Sequence, residues 1–350
     1  MDIVTHAITG ALLSAASLPT RHRRQAAIAG AIGACAPDLD VLISSSTDPL
    51  LVLEYHRHFT HSLFFAPVGA ALITLLLWRW MGKRLGGNVL YIAALIGYLS
   101  ACLLDVFTSY GTHLLWPAVS HPIALNMIAV VDPVFTLLVS AGLIVLLRRS
   151  GASPISHASH SSRHNWLRVF GIVAGSAYLG LGALQLHRAE HYARHWAEEQ
   201  QLAVSDILVK PTLGNLLLWR ALISTDKDVR VLAVRPGLSG VISYPGQRAH
   251  RLHPTDLDLP PGSRALKDME RFYRFADGYL VSFPDSAEKF GDVRYAMLPT
   301  SATPLWGIRV NRSDPDDATE FFTQRDSSPA TRQIFLQMLT GKPLHDTLPP

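Results

Sequence analysis

The sequence predicts a polytopic α-helical membrane domain of about five or six helices, residues 1–187, followed by a small soluble α+β domain, residues 188–350. Hydrophobic residues make up 49% of the 350 residues, and the mean hydropathy of +0.20 is high for a soluble enzyme. The apolar residues are concentrated before about Leu186. The rest of the sequence is polar and rich in turn residues, as in an ordinary globular domain.

Four apolar runs are long enough to cross a bilayer, which takes about 20 residues of helix. They are residues 62–80, 89–107, 130–147 and 169–186. Two weaker runs, 3–18 and 26–43, precede them, and Gly10 and Gly30 would let these two helices pack closely against others. A signal peptide is an alternative for the first run, but Asp2 stands where such peptides carry basic residues.

Basic residues fall in alternate loops between these runs, which predicts the orientation. Such loops face the cytoplasm, so the N-terminus, residues 44–61, residues 108–129 and everything after about 187 face outward. The prediction is a multi-pass inner-membrane protein with a periplasmic C-terminal domain. The basic loops contain Arg21–Arg24, Lys83 with Arg84, and Arg148, Arg149, Arg163 and Arg168.

Several other patterns have a simple structural interpretation. Residues 150–165, with three histidines, are predicted to form a solvated linker, with metal binding as the alternative. Cys35 and Cys102 lie in apolar runs and are predicted to be free buried thiols. Residues 189–201 continue the last span as a polar helix. Its histidines suit either a membrane interface or a metal; they are His187, His191 and His195.

The C-terminal domain shows strand-like runs at 216–223, 229–234, 278–283 and 296–298, separated by Pro-Gly turns. Residues 331–339 predict a short helix ended by Gly341. The sequence of this domain contains no nucleophile elbow, phosphate-binding loop or redox motif, so its pattern does not indicate a function.

Histidines and aspartates recur at the ends of the apolar runs that face outward. Burying such groups is costly unless they are paired or bind a metal. They are His6, Asp38, Asp40, His56, His61, Asp105 and Asp132. If the helices alternate across a bilayer, all of them lie on one side. Imidazoles and carboxylates together suit Zn²⁺, Mn²⁺ or Fe²⁺, and a mixed set predicts a hydrolytic site with a position for water.

Arg57 is predicted to hold a phosphate or carboxylate of the substrate, because its planar guanidinium binds both in a bidentate manner. Arg57 and Asp38 are the residues expected to take part in catalysis. Alternatives stay open: Asp38 and Asp40 as helix caps, and Asp132, followed by Pro133, as an N-cap. His56, His58 and His61 can instead be residues of the membrane interface. His58, His113 and His121 are further candidate ligands.

Several short motifs follow one another over about residues 1–147. They are Asp2 with Thr5-His6 and Gly10, Pro37-Asp38-Leu39-Asp40, His56-Arg57, Thr60-His61-Ser62, Asp105, Thr108–Thr112, Leu115-Trp116-Pro117 and Asp132-Pro133. Taken together and in this order, these motifs resemble the bacterial membrane-bound metal-dependent hydrolase family of YdjM type. A stretch from Pro211 to Arg220 resembles the start of the soluble domain of longer members.

The resemblance implies a distant similarity to zinc-dependent phospholipase C and P1-type nucleases, and hence phosphoester hydrolysis. It implies a divalent metal, zinc first with manganese or iron as alternatives, and the ligands His6, Asp38, Asp40, His56, His61 and Asp105. The chain departs from the pattern at one position. The phospholipase-like motif has a histidine four residues before the aspartate, where this chain has Ala101.

We therefore expect an inner-membrane hydrolase of a phosphoester or lipid-like substrate that works in contact with membrane lipids. A non-catalytic scaffold or sensor with a structural metal is the alternative, kept open by Ala101. A cation transporter is disfavoured because the acids cluster at helix ends rather than in mid-membrane. Direct nucleic-acid binding is also disfavoured, since the basic residues are scattered or follow the topology of the apolar runs.

Overall fold

A computed structural model describes residues 1–148 and 166–344, so the predicted linker 150–165, with His157, His160 and His164, lies outside the described residues. The described helices are α1 (Ile3–Ser17), α2 (Arg23–Cys35), α3 (Leu51–Tyr55), α4 (Ala66–Leu77), α5 (Lys83–Leu85), α6 (Gly87–Val106), α7 (Pro133–Arg148), α8 (Trp166–Glu199), α9 (Arg264–Phe275) and α10 (Pro329–Thr340). Short 3₁₀ helices include Pro37–Leu42 and Phe59–His61, and a π-helical turn, Trp78–Gly82, joins α4 to α5.

The strands are β1 (Asp206–Pro211), β2 (Trp219–Ser224), β3 (Asp228–Pro236), β4 (Val241–His250), β5 (Leu280–Phe283), β6 (Ser286–Asp292), β7 (Trp306–Arg309) and β8 (Glu320–Thr323). They form two antiparallel sheets with the orders β1-β2-β3-β4 and β5-β6-β7-β8. Each strand therefore pairs with its neighbour in sequence, which hairpin connections allow.

The chain divides into two compact units. The helical unit comprises Met1–Leu42, Tyr55–Ala183 and Leu213–Asn215; the sheet unit comprises Ile43–Glu54, Leu184–Thr212 and the chain from Leu216. The passage from one unit to the other falls within α8, and the predicted boundary at residue 187 stays a prediction about domain organisation.

Small residues set the packing of α1, α2 and α6 in the helical unit. A side chain at Gly30 would collide with the carbonyl of Gly10 and with Ser14, and one at Gly97 would collide with the carbonyl of Gly30. Backbones that approach this closely leave no room for a Cβ atom, as at small-residue contacts between membrane helices. The start of α1 and the ends of α2 and α6 are thereby held together.

The prediction of five or six membrane spans is wrong for the described residues. Two of their helices, α6 and α8, are long and apolar enough to cross a membrane, and a bent pair, 51–61 with 66–85, would make a third. The other apolar helices are too short. α1 has 15 residues and α7 has 16 described residues, so each rises about 22–24 Å against a hydrocarbon thickness of about 30 Å.

The sheet unit confirms the predicted C-terminal helix and three of the predicted strands. α10 is capped by Ser328, whose side chain accepts from the Thr331 amide, and ends at Gly341 with a φ of +78°. The strand predicted at 296–298 is wrong, because those residues are irregular. β4 was not predicted because Pro245-Gly246 is typical of a turn. These two residues lie beside a bulge in an edge strand, where proline is tolerated.

Residues 43–54 belong to the sheet unit, and they lie just before the loop 56–61 that carries His56, His58 and His61, called the histidine loop below. Leu50 is fully buried against a cluster that includes Met269 and Phe272 of α9. On the same segment, Asp48 and Glu54 both pair with Arg271, at 2.9 Å and 2.7 Å. The sheet unit therefore combines a short segment from the N-terminal half of the sequence with the C-terminal part.

Candidate metal centre

Three chain segments bring acidic and histidine side chains together in the helical unit. The first is the start of α1, which Asp2 caps by accepting from the Thr5 amide at 3.0 Å and which carries His6 one turn later. The second is the 3₁₀ helix Pro37–Leu42 directly after α2, which carries Asp38 and Asp40. The third is the last turn of α6, with Asp105.

His6, Asp38 and Asp105 each direct one ligand atom to a common point, and these atoms all lie within 4.8 Å of one another. The His6 Nε2 is 3.1 Å from Asp105 Oδ1 and 3.9 Å from Asp38 Oδ2. The side chains of His6 and Asp105 are completely buried, whereas that of Asp38 is 14% exposed. Asp38 therefore forms the solvent-facing edge of the group.

His61 faces the same group from the 3₁₀ helix Phe59–His61. Its Nε2 lies 3.3 Å from Asp38 Oδ1 and 3.3 Å from Asp105 Oδ2. Nevertheless, neither His61 Nε2 nor Asp105 Oδ2 forms a hydrogen bond with the described residues. The atoms are in close contact, but their alignment is unsuited to sharing a proton.

Asp40 organises the histidine loop rather than pointing at this group. Its Oδ1 contacts His56 Nδ1 at 2.8 Å. Its Oδ2 accepts from the Arg57 amide and the Thr60 hydroxyl, both at 2.8 Å, and lies 3.2 Å from His61 Nδ1. Burial raises the pKa of Asp40, but the contacts with His56 and His61 outweigh it and hold the pKa below its usual range. A carboxylate on the far nitrogen of a histidine fixes the ring's orientation, as in many metal sites.

Arg57 is buried beside Asp105 and adopts the left-handed backbone conformation, with a φ of +60°. One terminal nitrogen donates to Thr108 Oγ1 at 2.9 Å, and the other lies 3.0 Å from Asp105 Oδ1. The amino nitrogen of Met1 contacts the same carboxylate oxygen. Arg57 thus balances the charge of Asp105, and its predicted contact with a substrate stays a prediction.

Tyr98 is a site residue that the sequence analysis missed. Its hydroxyl donates to the carbonyl of Thr60 at 2.7 Å, which ties the histidine loop to α6. Tyr98 lies two helical turns before Asp105 and hence on the same face of α6. A tyrosine seven residues before Asp105 in the same apolar run was the sequence signal that could have indicated a role at the site.

The other histidine candidates lie apart from the group. His58 and His113 pack against each other, with ring centroids 4.5 Å apart, and His58 also contacts Trp116. Burial, followed by the nearby charge of His58, lowers the pKa of His113 to about 4. His121 is exposed. Among the described residues, none of these three belongs to the converging set.

Asp132 is the N-cap of α7. Its Oδ1 accepts from the amides of Val134 and Phe135, each at 3.1 Å, and the Tyr178 hydroxyl donates to the same carboxylate. Pro133 occupies the first helical position, as the capping interpretation predicts. Ala101 lies one turn before Asp105 and is buried.

The converging residues fit a divalent metal. Ligand atoms about 2.0–2.2 Å from a zinc ion lie about 3–3.5 Å from one another, which matches most of the contacts among His6, His61, Asp38 and Asp105. Two of these atoms, His61 Nε2 and Asp105 Oδ2, are buried without a hydrogen-bond partner in the described structure. The two atoms lie 3.3 Å apart but are not aligned for a hydrogen bond, and a cation bound between them would satisfy both.

A helical bundle with apolar helices of membrane-spanning length and a buried histidine–aspartate group defines a membrane protein with a candidate metal site. The chain belongs to the YdjM inner membrane protein family, whose model matches residues 1–189. It is accordingly an inner-membrane protein. No curated protein and no solved structure matches this chain.

Proposed function

We propose that this protein is a metal-dependent hydrolase of the inner membrane that acts on a phosphoester or lipid-like substrate. The observation that carries the proposal is the convergence of His6, Asp38 and Asp105, completed by His61 at 3.3 Å from both carboxylates. Mixed histidine and carboxylate donors are those of hydrolytic zinc, manganese and iron sites.

A divalent metal, zinc first, would supply an activated water at neutral pH and would polarise the bond that is cleaved. His6, His61, Asp38 and Asp105 are the residues that would hold it. Asp40 keeps the His61 ring in a fixed orientation through Nδ1, which leaves Nε2 free to face the carboxylates.

Asp38 and Arg57 have the remaining roles in this proposal. Asp38 is the member of the group that reaches solvent, so its carboxylate is placed to exchange a proton with an entering water or a leaving group. Arg57 compensates the buried charge of Asp105 and adds positive potential for an anionic substrate.

The position of Asp105 supports a substrate at the membrane surface. Asp105 lies in the last turn of α6, a helix long and apolar enough to cross a bilayer. One end of such a span is at the level of the lipid headgroups, whose phosphoesters match the predicted chemistry. We place this end on the periplasmic side, as the distribution of basic residues predicts.

The test is hydrolysis by the full-length protein, purified in detergent, of phosphodiester, phospholipid and carboxylic ester substrates with added Zn²⁺ or Mn²⁺. We expect turnover of one phosphoester class that falls at least about 100-fold in Asp105→Asn and His61→Ala. His195→Ala, an exposed histidine of α8, is the matched control and should retain activity. Turnover that survives both site variants would contradict the proposal.

A structural metal in a non-catalytic scaffold or sensor is the second candidate. The observation that favours it is burial, because His6, His61 and Asp105 are all completely enclosed. The same preparations separate the two candidates. Bound metal lost in Asp105→Asn, combined with no hydrolysis of any substrate class, would favour the structural role.

A further inference from the structure

Two hairpins of the sheet unit meet α8 where its apolar run ends. The apolar run covers about residues 169–186. The Gln185 side chain donates to the carbonyl of Leu216, before β2, and to that of Pro236, at the end of β3. One turn later, Arg188 donates to the carbonyl of Gly237 at 2.5 Å and to Gln185 Oε1 at 2.8 Å. Both hairpin ends therefore lie at the level of Gln185.

A further contact fixes the direction in which the β3–β4 hairpin points. The Tyr192 hydroxyl is 2.9 Å from Ser243 Oγ in β4. Tyr192 lies seven residues, or about 10 Å, beyond Gln185 along the helix. The hairpin thus runs alongside α8 with its open end toward the polar part of the helix. Its turn lies at the level of Gln185 and Arg188.

The turn itself presents apolar side chains to the outside. Leu238 is fully exposed, and Leu217 in the other hairpin end is 46% exposed. The sequence 237–242, Gly-Leu-Ser-Gly-Val-Ile, carries no charge. Leu184, one residue before Gln185 on α8, is 55% exposed, so the helix and the turns expose leucines at the same level.

We propose that these two hairpin ends are a lipid-contact surface, in which Leu238 and Leu217 enter the boundary between lipid headgroups and acyl chains. Leu184, which is exposed at the same level, belongs to α8, a helix long and apolar enough to cross a membrane. Short uncharged turns with exposed leucines suit this depth.

The experiment uses the full-length protein in lipid nanodiscs, with a nitroxide attached to a single introduced cysteine. Leu238→Cys and Leu217→Cys are made in a Cys35→Ser background, because the other thiol, Cys102, is completely buried. Ser327→Cys, in the exposed loop before α10, is the matched control. Collisions with oxygen, which concentrates in lipid, are compared with collisions with a water-soluble nickel chelate.

We expect both hairpin labels to favour oxygen several-fold more than the Ser327 label does. A hairpin label as accessible to the nickel chelate as the control label would show that the turns lie in water and would overturn the proposal. A label protected from both reagents would indicate that protein covers the turns, such as a second copy of this chain, and would overturn it as well. A monodisperse preparation of each variant with an unfolding temperature like that of the parent protein establishes that the variants are folded.

Discussion

Asp105 and Asp132 are both completely buried aspartates at the ends of apolar helices, yet their partners differ. Asp132 accepts from two amides of its own helix and from Tyr178, so all its partners are donors within the protein. Asp105 Oδ1 contacts His6, Arg57 and the Met1 amino nitrogen, whereas its Oδ2 lies near His61 but forms no hydrogen bond in the described structure. Both carboxylate oxygens of Asp132 therefore accept hydrogen bonds, whereas Oδ2 of Asp105 can still bind a cation.

This difference predicts that replacing aspartate by asparagine removes bound metal at position 105 but leaves it in place at position 132. Asp132→Ala should lower the free energy of unfolding by about 1 kcal/mol, because it removes an N-cap. Asp132→Asn should cost much less, since asparagine caps equally well. Neither change should alter metal content. Thermal unfolding and metal analysis of the purified variants check this, and metal loss in Asp132→Asn would mean that Asp132 is a ligand.

The Lys210 amine in β1 is buried without a hydrogen-bond partner in the described structure. Its Nζ lies 3.2 Å from the centre of the Tyr295 ring. Burial and then the charges of Arg294 and Arg220 lower its pKa well below 10.5, against the raising effect of Asp292. The unfolded chain therefore binds a proton that the folded unit releases, and stability rises with pH up to about 10.5.

Replacing Lys210 by methionine should therefore stabilise the sheet unit at pH 7, by about 1–3 kcal/mol. The gain should shrink as the pH approaches 10.5, because the unfolded lysine then also loses its proton. Thermal unfolding of Lys210→Met at pH 7 and pH 10 measures this, with Lys267→Met, an exposed lysine of α9, as the control. A stability gain of Lys210→Met that grows with pH would contradict the lowered pKa of Lys210.

Single residues were predictable from sequence where an apolar run contained a costly polar group. His6, Asp38, His61 and Asp105 stood out for that reason, and the structure brings them together. The attachment of Asp40 to His56 and His61, and of Arg57 to Asp105, was not predictable, because these contacts join residues whose spacing carries no local pattern. Metal binding by the predicted ligands stays a prediction.

At the scale of elements, glycines of α1, α2 and α6 hold the site together. Gly97→Val should prevent α6 from approaching α2 and should destabilise the helical unit by about 1–3 kcal/mol or more, because the new side chain meets the carbonyl of Gly30. Gly180→Val in α8 is the control, since nothing lies within 4 Å of its added Cβ. Unfolding temperatures in detergent compare the two, and equal effects would contradict the packing account.

Elements with strong local signals were predicted and those without were missed. α6 and α8 carry long uninterrupted apolar runs, and α10 has a serine cap and a terminal glycine. α1 and α7 are apolar but too short in the described structure to span, which composition alone does not reveal. α9 was missed although its signal was present: Ser263 caps it, and its buried residues Ala265, Asp268, Met269 and Phe272 follow the i, i+3, i+4, i+7 spacing of an amphipathic helix.

At the scale of the whole molecule, the sheet unit includes Ile43–Glu54, which lies in sequence between Asp40 and His56. We expect this compact unit to lie on one side of the membrane, which would put the segment and the chain after α8 on the same side. No pattern in the sequence indicated that residues 43–54 belong to the sheet unit, because contacts such as that between Leu50 and Met269 join residues far apart along the chain.

Sidedness gives a further prediction. Ser44→Cys and Ser327→Cys, both at exposed positions, should react with a membrane-impermeant maleimide in intact spheroplasts, because both are expected on the periplasmic side. Labelling of one but not the other would contradict the common side. Labelling of both only after lysis would reverse the predicted orientation and leave the common side intact.

Metal content tests the central claim most directly. Full-length protein, grown with ample zinc and purified in detergent without chelators, is measured by elemental analysis. We predict stoichiometric divalent metal in the wild type and in Asp132→Asn and His195→Ala, and loss of most of it in Asp105→Asn and His61→Ala. Wild-type protein without metal, or metal unchanged by both site substitutions, would contradict the assignment of His6, Asp38, His61 and Asp105 as a metal centre.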